Sequence, residues 1–365
     1  MNRPRGFSLV ELMVAMALAL IVSAGVMSVF IGSRSAYQST TGTASTTDGG
    51  RFALNFIQNS VRSAGFMACS NAQNMVAAPM LNAGATPLYN SFGLGLGGFE
   101  ASSTGIAGAF AVVEPPVAPD ASNGDWVSGL DPALAGLVVK NNDVLVVRST
   151  LRNAQPVYVS AITNGASTFT VNSQGLLAAG QLAVIADCLK FVPFQISGIS
   201  GVSPAVTITH NSGGSPGNAA AALPASFSIG AQVTPVDTIV YYIGKGADGD
   251  GALFSYDLNA TNTFTATELV PDIEAMQVLY GLDTTQTQTV SEYVTADQVP
   301  IQAPAGFNSV MSVKIAVLAA SAPGALPKPT VAPTYNLLGN TVSAPLDTRS
   351  RQVFEMTIGV RNSLP

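Results

Sequence analysis

The sequence is poor in charged residues, and this shortage excludes a class of function. Asp, Glu, Lys and Arg make up only 10% of the 365 residues, against about 25% in an ordinary globular domain. The formal charge is −6, and the 15 Lys and Arg residues form no basic stripe that could bind a phosphate backbone. We therefore expect no direct nucleic-acid binding by this chain. The many Gly (35) and Pro (22) residues predict a loop-rich, β-containing protein outside the cytoplasm.

A single histidine, His210, limits the catalytic arrangements that the chain can build. It lies in the Gly- and Ser-rich stretch THNSGGS, and neither a nucleophile elbow nor a metal-binding pair is near it. A Ser-His-Asp or Cys-His site would need this residue, so we expect no enzyme and no cofactor. We interpret His210 as a solvated loop residue. The lone tryptophan, Trp126, is interpreted as a partly buried packing residue, with a surface contact as the alternative.

Two cysteines, Cys69 and Cys188, lie far apart in the sequence, and neither belongs to a CxxC pair. This separation excludes a local metal knuckle. In an oxidising compartment, the expected state of such a pair is one structural disulfide. It would stabilise the fold by roughly 4–5 kcal/mol in the chain-entropy model. Two unrelated buried thiols are the alternative.

The segment Phe7–Gly32 is apolar apart from one ionisable residue, Glu11. As a helix it would be about 39 Å long, which is enough to span a bilayer with some tilt. Arg3 and Arg5 precede it, so the positive-inside rule predicts a cytoplasmic N-terminus and export of everything after the span. We expect a single-pass protein of the bacterial inner membrane with a periplasmic domain.

Glu11 is unusual because an unpaired carboxylate in a bilayer costs about 2.5–3.5 kcal/mol and therefore needs a partner. Cleavage between Gly6 and Phe7 would create an ammonium group at Phe7, four residues before Glu11. Glu11 could then neutralise the terminus of its own helix or that of the next subunit, which would set the axial register of an assembly. A secretory signal cut at Ser23-Ala24-Gly25 is the alternative, but the apolar run continues beyond that point.

The segment Gly6-Phe7-Ser8-Leu9-Val10-Glu11-Leu12 resembles the prepilin signature of type IV pilins and type II secretion pseudopilins. This resemblance implies that a prepilin peptidase cuts after Gly6 and that Phe7 is N-methylated. Further segments are similar to PilW-type minor pilins of type IV pilus assembly. They are NFIQNSVRSAGFMAC at 55–69, ELVPDIEAMQVLYGLD at 268–283 and VFEMTIGVRN at 353–362, together with Ala-Asp-Cys at 186–188, whose cysteine pairs with Cys69 in that pattern.

The exported part is expected to begin with the second half of one interrupted helix. Residues 33–50 are rich in Ser, Thr and Gly, and Gly42, Gly49 and Gly50 predict the interruption there. Residues 51–64 resume a helical pattern with one apolar stripe. The stripe consists of Leu54, Ile57, Val61 and Ala64.

Runs of β-branched residues between turn residues then predict strands. The runs are 143–150, 157–162, 167–172, 181–187, 191–196, a hairpin of 237–245 and 252–258, then 275–281, 307–321 and 351–362. Three Gly-, Ser-, Ala- or Pro-rich segments are predicted to be loops. These are 70–125, which includes GLGLGG at 93–98, and the segments 198–235 and 322–346.

The turn of the hairpin, Asp248-Gly249-Asp250-Gly251, resembles the opening of a calcium loop. The pattern fails at Ala252, where a third oxygen ligand belongs, and at Asn259, which replaces the closing Glu. Tight-turn chemistry explains the same residues. Asp248 and Asp250, with Asp257 as the extra ligand, form the only calcium candidate that the sequence offers.

Together these observations predict an α+β, pilin-like fold, in which a long N-terminal helix packs on an antiparallel sheet with long loops. The expected parts are a leader at 1–6, a transmembrane and assembly helix at 7–32, its amphipathic continuation at 33–66 and a periplasmic β-rich domain at 67–365.

The PilW resemblance implies a minor pilin that helps to initiate pilus assembly and is a candidate for the pilus tip. It implies a role in twitching motility, adhesion or DNA uptake. The implied partners are prepilin peptidase, other minor pilins, the major pilin and the assembly platform. A type II secretion pseudopilin and a membrane-anchored periplasmic binding module are the alternatives.

Overall fold

The structure is a computed structural model. It describes residues 8–76, 80–82, 88, 91–117, 124–258, 264–285, 287, 289–302 and 306–363. The predicted cleavage residues, Gly6 and Phe7, lie outside the described residues, as does Asn259 of the hairpin.

One continuous helix, α1 (Leu9–Val61), contains 53 residues and is roughly 80 Å long. The predicted interruption at 33–50 is wrong, because these residues are helical throughout. Their Thr hydroxyls donate to backbone carbonyls one turn earlier, as Thr43 does to Ser39 at 2.9 Å and Thr46 to Gly42 at 2.8 Å. These bonds satisfy the polar side chains inside the helix. Packing against the sheet then overrides the poor helix propensity.

Two of the glycines that suggested an interruption are sites of close contact instead. A Cβ atom at Gly50 would lie 2.1 Å from Cδ2 of Phe354, and one at Gly42 would lie 2.6 Å from Cβ of Ala325. These glycines therefore let the backbone of α1 approach the strands more closely than any other residue would. At Gly49 the nearest atom to an added Cβ is Cγ1 of Val270, at an ordinary 3.7 Å.

Twenty strands are assigned within the described residues. Strands β1–β11 are Phe66–Met67, Ser70–Asn71, Leu96–Phe99, Ala109–Ala111, Val144–Thr150, Val157–Ile162, Thr168–Val171, Leu182–Ala186, Phe191–Gln195, Gly198–Val202 and Ala205–Thr209. Strands β12–β20 are Gln232–Lys245, Gly251–Leu258, Phe264–Pro271, Ile273–Leu282, Glu292–Val294, Val310–Ala320, Thr334–Leu337, Asn340–Ser343 and Arg351–Gly359. Short helical turns are α2 (Val299–Gln302) and 3-10 turns at Ala72–Asn74, Pro132–Leu134, Gly306–Ser309 and Arg361–Ser363.

The second half of α1 packs against β14, β17 and β20. Strands β17 and β20 belong to a four-stranded antiparallel sheet in the order β16-β15-β17-β20. The predicted apolar stripe of the helix, Leu54, Ile57, Val61 and Ala64, is buried in the core that this packing creates. The α+β architecture expected from the sequence is thereby confirmed.

The longest strand, β12, organises a larger sheet. Its first residues pair with β6 and β8, its middle pairs with β5, and its end forms the predicted hairpin with β13. Strand β14 extends the sheet beyond β13, and β3 pairs with β5.

Strands β6–β11 form a layer with its own apolar core, which includes Phe169, Phe194 and Ile208. Two predictions are wrong here. The segment 198–235 contains β10, β11 and the start of β12, because the alternating burial of Ala205–Thr209 makes it a strand. His210 is not solvated: it is 1% exposed, and its ring lies 5.4 Å and 5.7 Å from the rings of Phe169 and Phe194.

The other predicted loops also contain strands. The Pro-rich segment 322–346 includes β18 and β19, and β19 pairs in parallel with β4. GLGLGG at 93–98 leads into β3. Trp126 is buried, as expected for a packing residue, and its indole Nε1 donates to the carbonyl of Asn142 at 3.2 Å.

The two cysteines are joined in a disulfide with a Cα–Cα distance of 4.6 Å and a sequence separation of 119. Cys69 follows the end of α1, and Cys188 lies between β8 and β9. The bond therefore ties the layer of β6–β11 to the segment that leaves the helix.

Two side chains join the larger sheet to the four-stranded sheet. The amide oxygen of Asn142 accepts from the N–H of Met276 at 2.8 Å. The two carboxylate oxygens of Asp143 accept from the N–H groups of Val278 and Ala101, at 2.9 Å and 3.2 Å. Asn142 and Asp143 thus bond to the edge of β15 as a neighbouring strand would, which connects the two sheets.

A second buried carboxyl group, Glu100, lies beside this junction. The hydroxyl oxygen of Thr104 is 3.0 Å from one oxygen of Glu100 and 3.0 Å from one oxygen of Asp143. Burial raises the pKa of Glu100 to about 9, and the nearby charge of Asp143 adds to this effect. Burial also raises the pKa of Asp143, to about 7, although the hydrogen bonds that it accepts from Val278, Ala101 and Thr104 oppose this shift. Glu100 is therefore the more readily protonated of the two carboxyl groups.

The contact of Gly50 with Phe354 predicts opposite effects at two adjacent glycines. Gly50→Ala should lower the free energy of unfolding by about 1–3 kcal/mol, because the added methyl overlaps the ring. Gly49→Ala should raise it by up to about 1 kcal/mol, because alanine is a better helix former and finds space there. Denaturant unfolding of the full chain in detergent micelles measures both values. Equal changes in the free energy of unfolding for the two variants would contradict the close contact of Gly50 with Phe354.

The raised pKa of Glu100 predicts that Glu100→Gln increases the free energy of unfolding by an amount that depends on pH. Below the unfolded-state pKa, near 4.5, both forms carry a neutral side chain and the pH adds no difference. As the pH rises from there to about 9, the wild type loses stability relative to the variant, by at most about 1.4 kcal/mol per pH unit. Unfolding curves at pH 4, 7 and 9 measure the difference, and Glu355→Gln on an exposed strand position is the control. If the difference in unfolding free energy between the wild type and Glu100→Gln stays constant with pH, the raised pKa of Glu100 is wrong.

Candidate assembly site

The first half of α1 is an exposed apolar surface. It is part of the one helix, among the described residues, that is long and apolar enough to cross a membrane. Its large apolar side chains from Leu9 to Ile31 are exposed and contact no part of the folded body. Such a surface needs either lipid or other helices around it.

Glu11 lies in the first turn of this helix and is exposed. Its N–H donates to Oγ of Ser8, the N-cap residue, at 3.2 Å. The pair Ser8 and Glu11 has the spacing of a capping box, a signal that the sequence contains. A carboxylate near the N-terminal end of a helix also interacts favourably with the helix dipole. Ser8 thus caps the helix through the backbone N–H of Glu11, and the pairing with the amine of Phe7 that the signature implies concerns the Glu11 carboxylate.

The other end of α1 is fixed to the body by polar contacts. Oγ of Ser60 lies 2.6 Å from the hydroxyl of Tyr241, and Nη2 of Arg152 donates to the same Oγ at 3.2 Å. The side chain of Asn362 donates to the carbonyl of Ala64 at 3.1 Å. Burial raises the pKa of Tyr241 to about 12, so its hydroxyl stays protonated at every physiological pH. The position of the apolar half is therefore set by the body.

The calcium candidate has a different composition from the one predicted. Asp248 and Asp250 lie in the hairpin turn as expected, but the third carboxylate near them is Asp272, and Asp257 is not in the group. Asp257 instead lies on β13, opposite Ile239 of β12. The guanidinium of Arg349 pairs with Asp250 and lies 3.0 Å from Asp272. A side-chain cation thus already neutralises this acidic group, and the geometry does not favour a metal ion there.

A second arginine, Arg351, is almost completely buried and holds β20 to its surroundings. Its Nε and Nη2 donate to the two oxygens of Glu274 at 2.6 Å and 2.9 Å. Its Nη1 also donates to Asp347 at 2.8 Å. Burial and the nearby charge of Glu274 raise the pKa of Glu114 to about 7, although both arginines oppose this shift. The network fixes the strand on which Gly50 of the helix rests.

Two family models match the chain. Residues 240–362 match the model described as Type IV Pilus-assembly protein W, and residues 1–27 match the Prokaryotic N-terminal methylation motif. Over these two regions the chain is similar to a PilW-type, prepilin-signature minor pilin of the type IV pilus. The families found are structural pilus components and not enzymes. Neither the curated proteins nor the solved structures give a significant match.

The matched regions coincide with the parts of the chain that build and hold the long N-terminal helix. The first region contains the apolar start of α1 and Glu11. The second runs from within β12 to the end of the described chain and contains the four-stranded sheet and both buried arginines. The motif implies processing by a prepilin peptidase and assembly with other pilins, on a membrane-anchored protein.

Removal of the buried guanidinium of Arg351 should lower the stability of the fold. Arg351→Met should lower the free energy of unfolding by about 3–5 kcal/mol, because Glu274 would remain buried without its partner. Lys190→Ala, which breaks the more exposed pair with Asp187, should cost at most about 1 kcal/mol. Denaturant unfolding in micelles compares the two. If Arg351→Met loses less unfolding free energy than Lys190→Ala, the structural role of Arg351 is contradicted.

Proposed function

We propose that this chain is a minor pilin that helps to initiate type IV pilus assembly. The observation that carries the proposal is the division of α1 into two halves: an exposed apolar half with Glu11 at its start, and a half locked to the sheet through glycines and buried side chains. Such a chain is complete as a fold but unpartnered over half of its helix. Assembly with other helices in the membrane would supply the missing partners.

The proposed maturation begins with cleavage between Gly6 and Phe7 and N-methylation of Phe7. The leader, residues 1–6, contains Arg3 and Arg5, and the positive-inside rule supports a cytoplasmic N-terminus with the domain at 67–365 in the periplasm. Other minor pilins, the major pilin and the assembly platform are the proposed partners. A tip position with roles in motility, adhesion or DNA uptake is the further proposal for the assembled state.

Glu11 would act through its charge. In lipid the carboxylate needs a cation, and the amine of Phe7 in the same or the next subunit provides one. Because only one axial offset brings the carboxylate of one helix to the terminus of another, the pair would set the register between subunits. Residues 33–61 form one unbroken helix with the apolar half, so this register would pass directly to the folded body.

A type II secretion pseudopilin is the second candidate, since it shares the N-terminal signature. The match of residues 240–362 to the pilus-assembly family favours the pilus. A deletion strain scored for surface pili and for protein secretion separates the two. Loss of secretion with normal piliation would favour the pseudopilin. If the strain keeps both secretion and piliation, both candidate functions are wrong.

The charge of Glu11 can be tested apart from the helix cap that Ser8 provides. Glu11→Ala should be processed and inserted normally but fail to support piliation, because the register-setting charge is lost. Ser8→Ala removes the N-cap, at about 0.5–2 kcal/mol of helix stability, yet keeps the charge, so piliation should persist. Mass spectrometry of the mature N-terminus reports processing, and electron microscopy reports pili. Normal piliation of Glu11→Ala, or a mature terminus near Ala24, would refute the proposal.

A further inference from the structure

An open polar pocket lies in the layer of β6–β11, which is not the part of the body on which α1 packs. Three chain segments meet there: the turn before β8, the link from β9 to β10 and the loop that follows β11. The pocket has a volume of about 520 Å³. This lies within the range of about 300–1,000 Å³ that is typical of small-molecule sites. Most of the lining is serine and glycine, namely Ser197, Ser212, Ser215, Gly180, Gly213 and Gly214.

The buried amide of Gln195 holds two walls of the pocket together. This side chain is 6% exposed, and its Nε2 donates to the carbonyls of Gly180 at 2.8 Å and of Ser215 at 2.9 Å. Its Oε1 accepts from the N–H of Gly217 at 3.0 Å. Because Gly180 and Ser215 belong to different segments, one amide with both of its N–H groups in use fixes the distance between these segments.

A second buried amide, that of Asn218, fixes the loop that follows β11. Asn218 is 1% exposed, and its Nδ2 donates to the carbonyls of Gln195 at 2.7 Å and of Asn211 at 3.1 Å. Its Oδ1 accepts from the N–H of Gln195 at 2.7 Å, and its backbone exchanges two hydrogen bonds with that of Gly213. Such a satisfied buried network is rigid. The pocket is therefore formed before a ligand arrives, which lowers the entropic cost of binding.

The glycines keep the pocket open. A Cβ atom added at Gly180 or at Gly213 would meet no other atom within 4 Å. Both residues have a positive φ, of 86° and 92°, which other residues rarely adopt. The backbone itself thus excludes side chains from two positions of the lining, and the space that these side chains would take stays free.

Several polar groups of the lining are available to a ligand. Ser212 and Gly214 are exposed, and within the described part of the chain neither their N–H groups nor the Ser212 hydroxyl has a hydrogen-bond partner. Oγ of Ser197 accepts from the N–H of Asn211 at 2.9 Å, which leaves its own O–H as a donor. The pocket therefore offers hydroxyl groups that donate and accept, together with backbone donors.

The composition of the lining selects the chemistry of the ligand. The described residues that line the pocket include neither an acidic nor a basic side chain, so no countercharge is present to recognise an ion. Apart from the glycines, Ile196 is the one lining residue without a polar side chain, so an apolar molecule would find few contacts. A neutral molecule with several hydroxyl groups matches this surface, because each hydroxyl both donates and accepts. Saccharides are molecules of this class.

The pocket also lies apart from the regions that resemble pilus proteins. Its residues fall between 180 and 215, whereas the family models match 1–27 and 240–362. A ligand bound here would touch neither the apolar half of α1 nor the four-stranded sheet that holds the helix. Binding and assembly can therefore be measured separately.

We propose that this pocket binds a neutral saccharide, whose hydroxyl groups exchange hydrogen bonds with Ser197, Ser212 and the free N–H of Gly214. The binding requires only the folded layer of β6–β11 and the frame made by Gln195 and Asn218. It does not rest on the proposed function, and it gives this chain a ligand site outside α1.

The test uses the purified full chain in micelles of a zwitterionic detergent, because a detergent with a sugar headgroup would compete for the pocket. The labelled protein is applied to an array of immobilised mono- to tetrasaccharides, both neutral and sialylated or sulfated. We expect binding to at least one neutral saccharide. Titration calorimetry with that saccharide in solution then gives the Kd, and inorganic sulfate is titrated as the anionic probe.

Three serine variants locate the binding. Ser212→Phe should weaken it at least about tenfold, because the ring fills the pocket. Ser212→Ala keeps the space but removes one hydroxyl, so it should weaken binding about two- to tenfold, the worth of one hydrogen bond. Ser226→Phe places the same ring at an exposed serine outside the lining and should leave the Kd within about twofold of the parent. Denaturant unfolding confirms that all three variants fold.

Four results would overturn the proposal. They are the absence of binding to every neutral saccharide, binding of sulfate or of charged saccharides alone, an unchanged Kd in Ser212→Phe, and an equal loss of affinity in Ser212→Phe and Ser226→Phe.

Discussion

The close approach of α1 to the four-stranded sheet is the constraint on which the rest of the structure depends. Gly42 and Gly50 permit it, and Phe354 and Ala325 fill the space that their missing side chains leave. Because of this contact, a segment with poor intrinsic helix propensity stays helical from the membrane to the body. The buried pair of Arg351 and Glu274 then holds β20, which carries Phe354, in place.

The sequence predicted the parts of the fold that have strong local signals. The hairpin of β12 and β13 and the apolar stripe of α1 followed from periodicity and turn residues, and the structure has both. Residues 33–50 were mispredicted because their helix is stabilised by a partner strand far away in sequence. The strands in 198–235 and 322–346 were missed because their Gly, Ser and Pro content concealed short alternating patterns such as that of Ala205–Thr209.

The residues of the candidate site could be predicted where they belong to a sequence motif. They could not be predicted where tertiary packing brings distant residues together. Glu11 stands out as one charge in an apolar run, and its spacing from Ser8 is also visible in the sequence. The acidic group at the hairpin turn differs from the predicted one because residues distant in sequence join it: Asp272 replaces Asp257, and Arg349, about 100 residues away, pairs with Asp250. The exposure of Phe52 and Phe56 on the second half of α1 could not be foreseen, because only the position of β14 and β17 distinguishes an exposed phenylalanine from a buried one on the same helix.

The way in which α1 lies along the body has a mechanical consequence. Residues 42–61 contact the sheet side by side over several turns, and the polar contacts of Ser60 lie at the far end. A pull on the membrane half along the helix axis would therefore load all of these contacts in shear at once and would not peel them one after another. The first elements to bear such a pull would be β14, β17 and β20, which the helix contacts directly. A chain built in this way passes tension from its helix into the middle of its sheets.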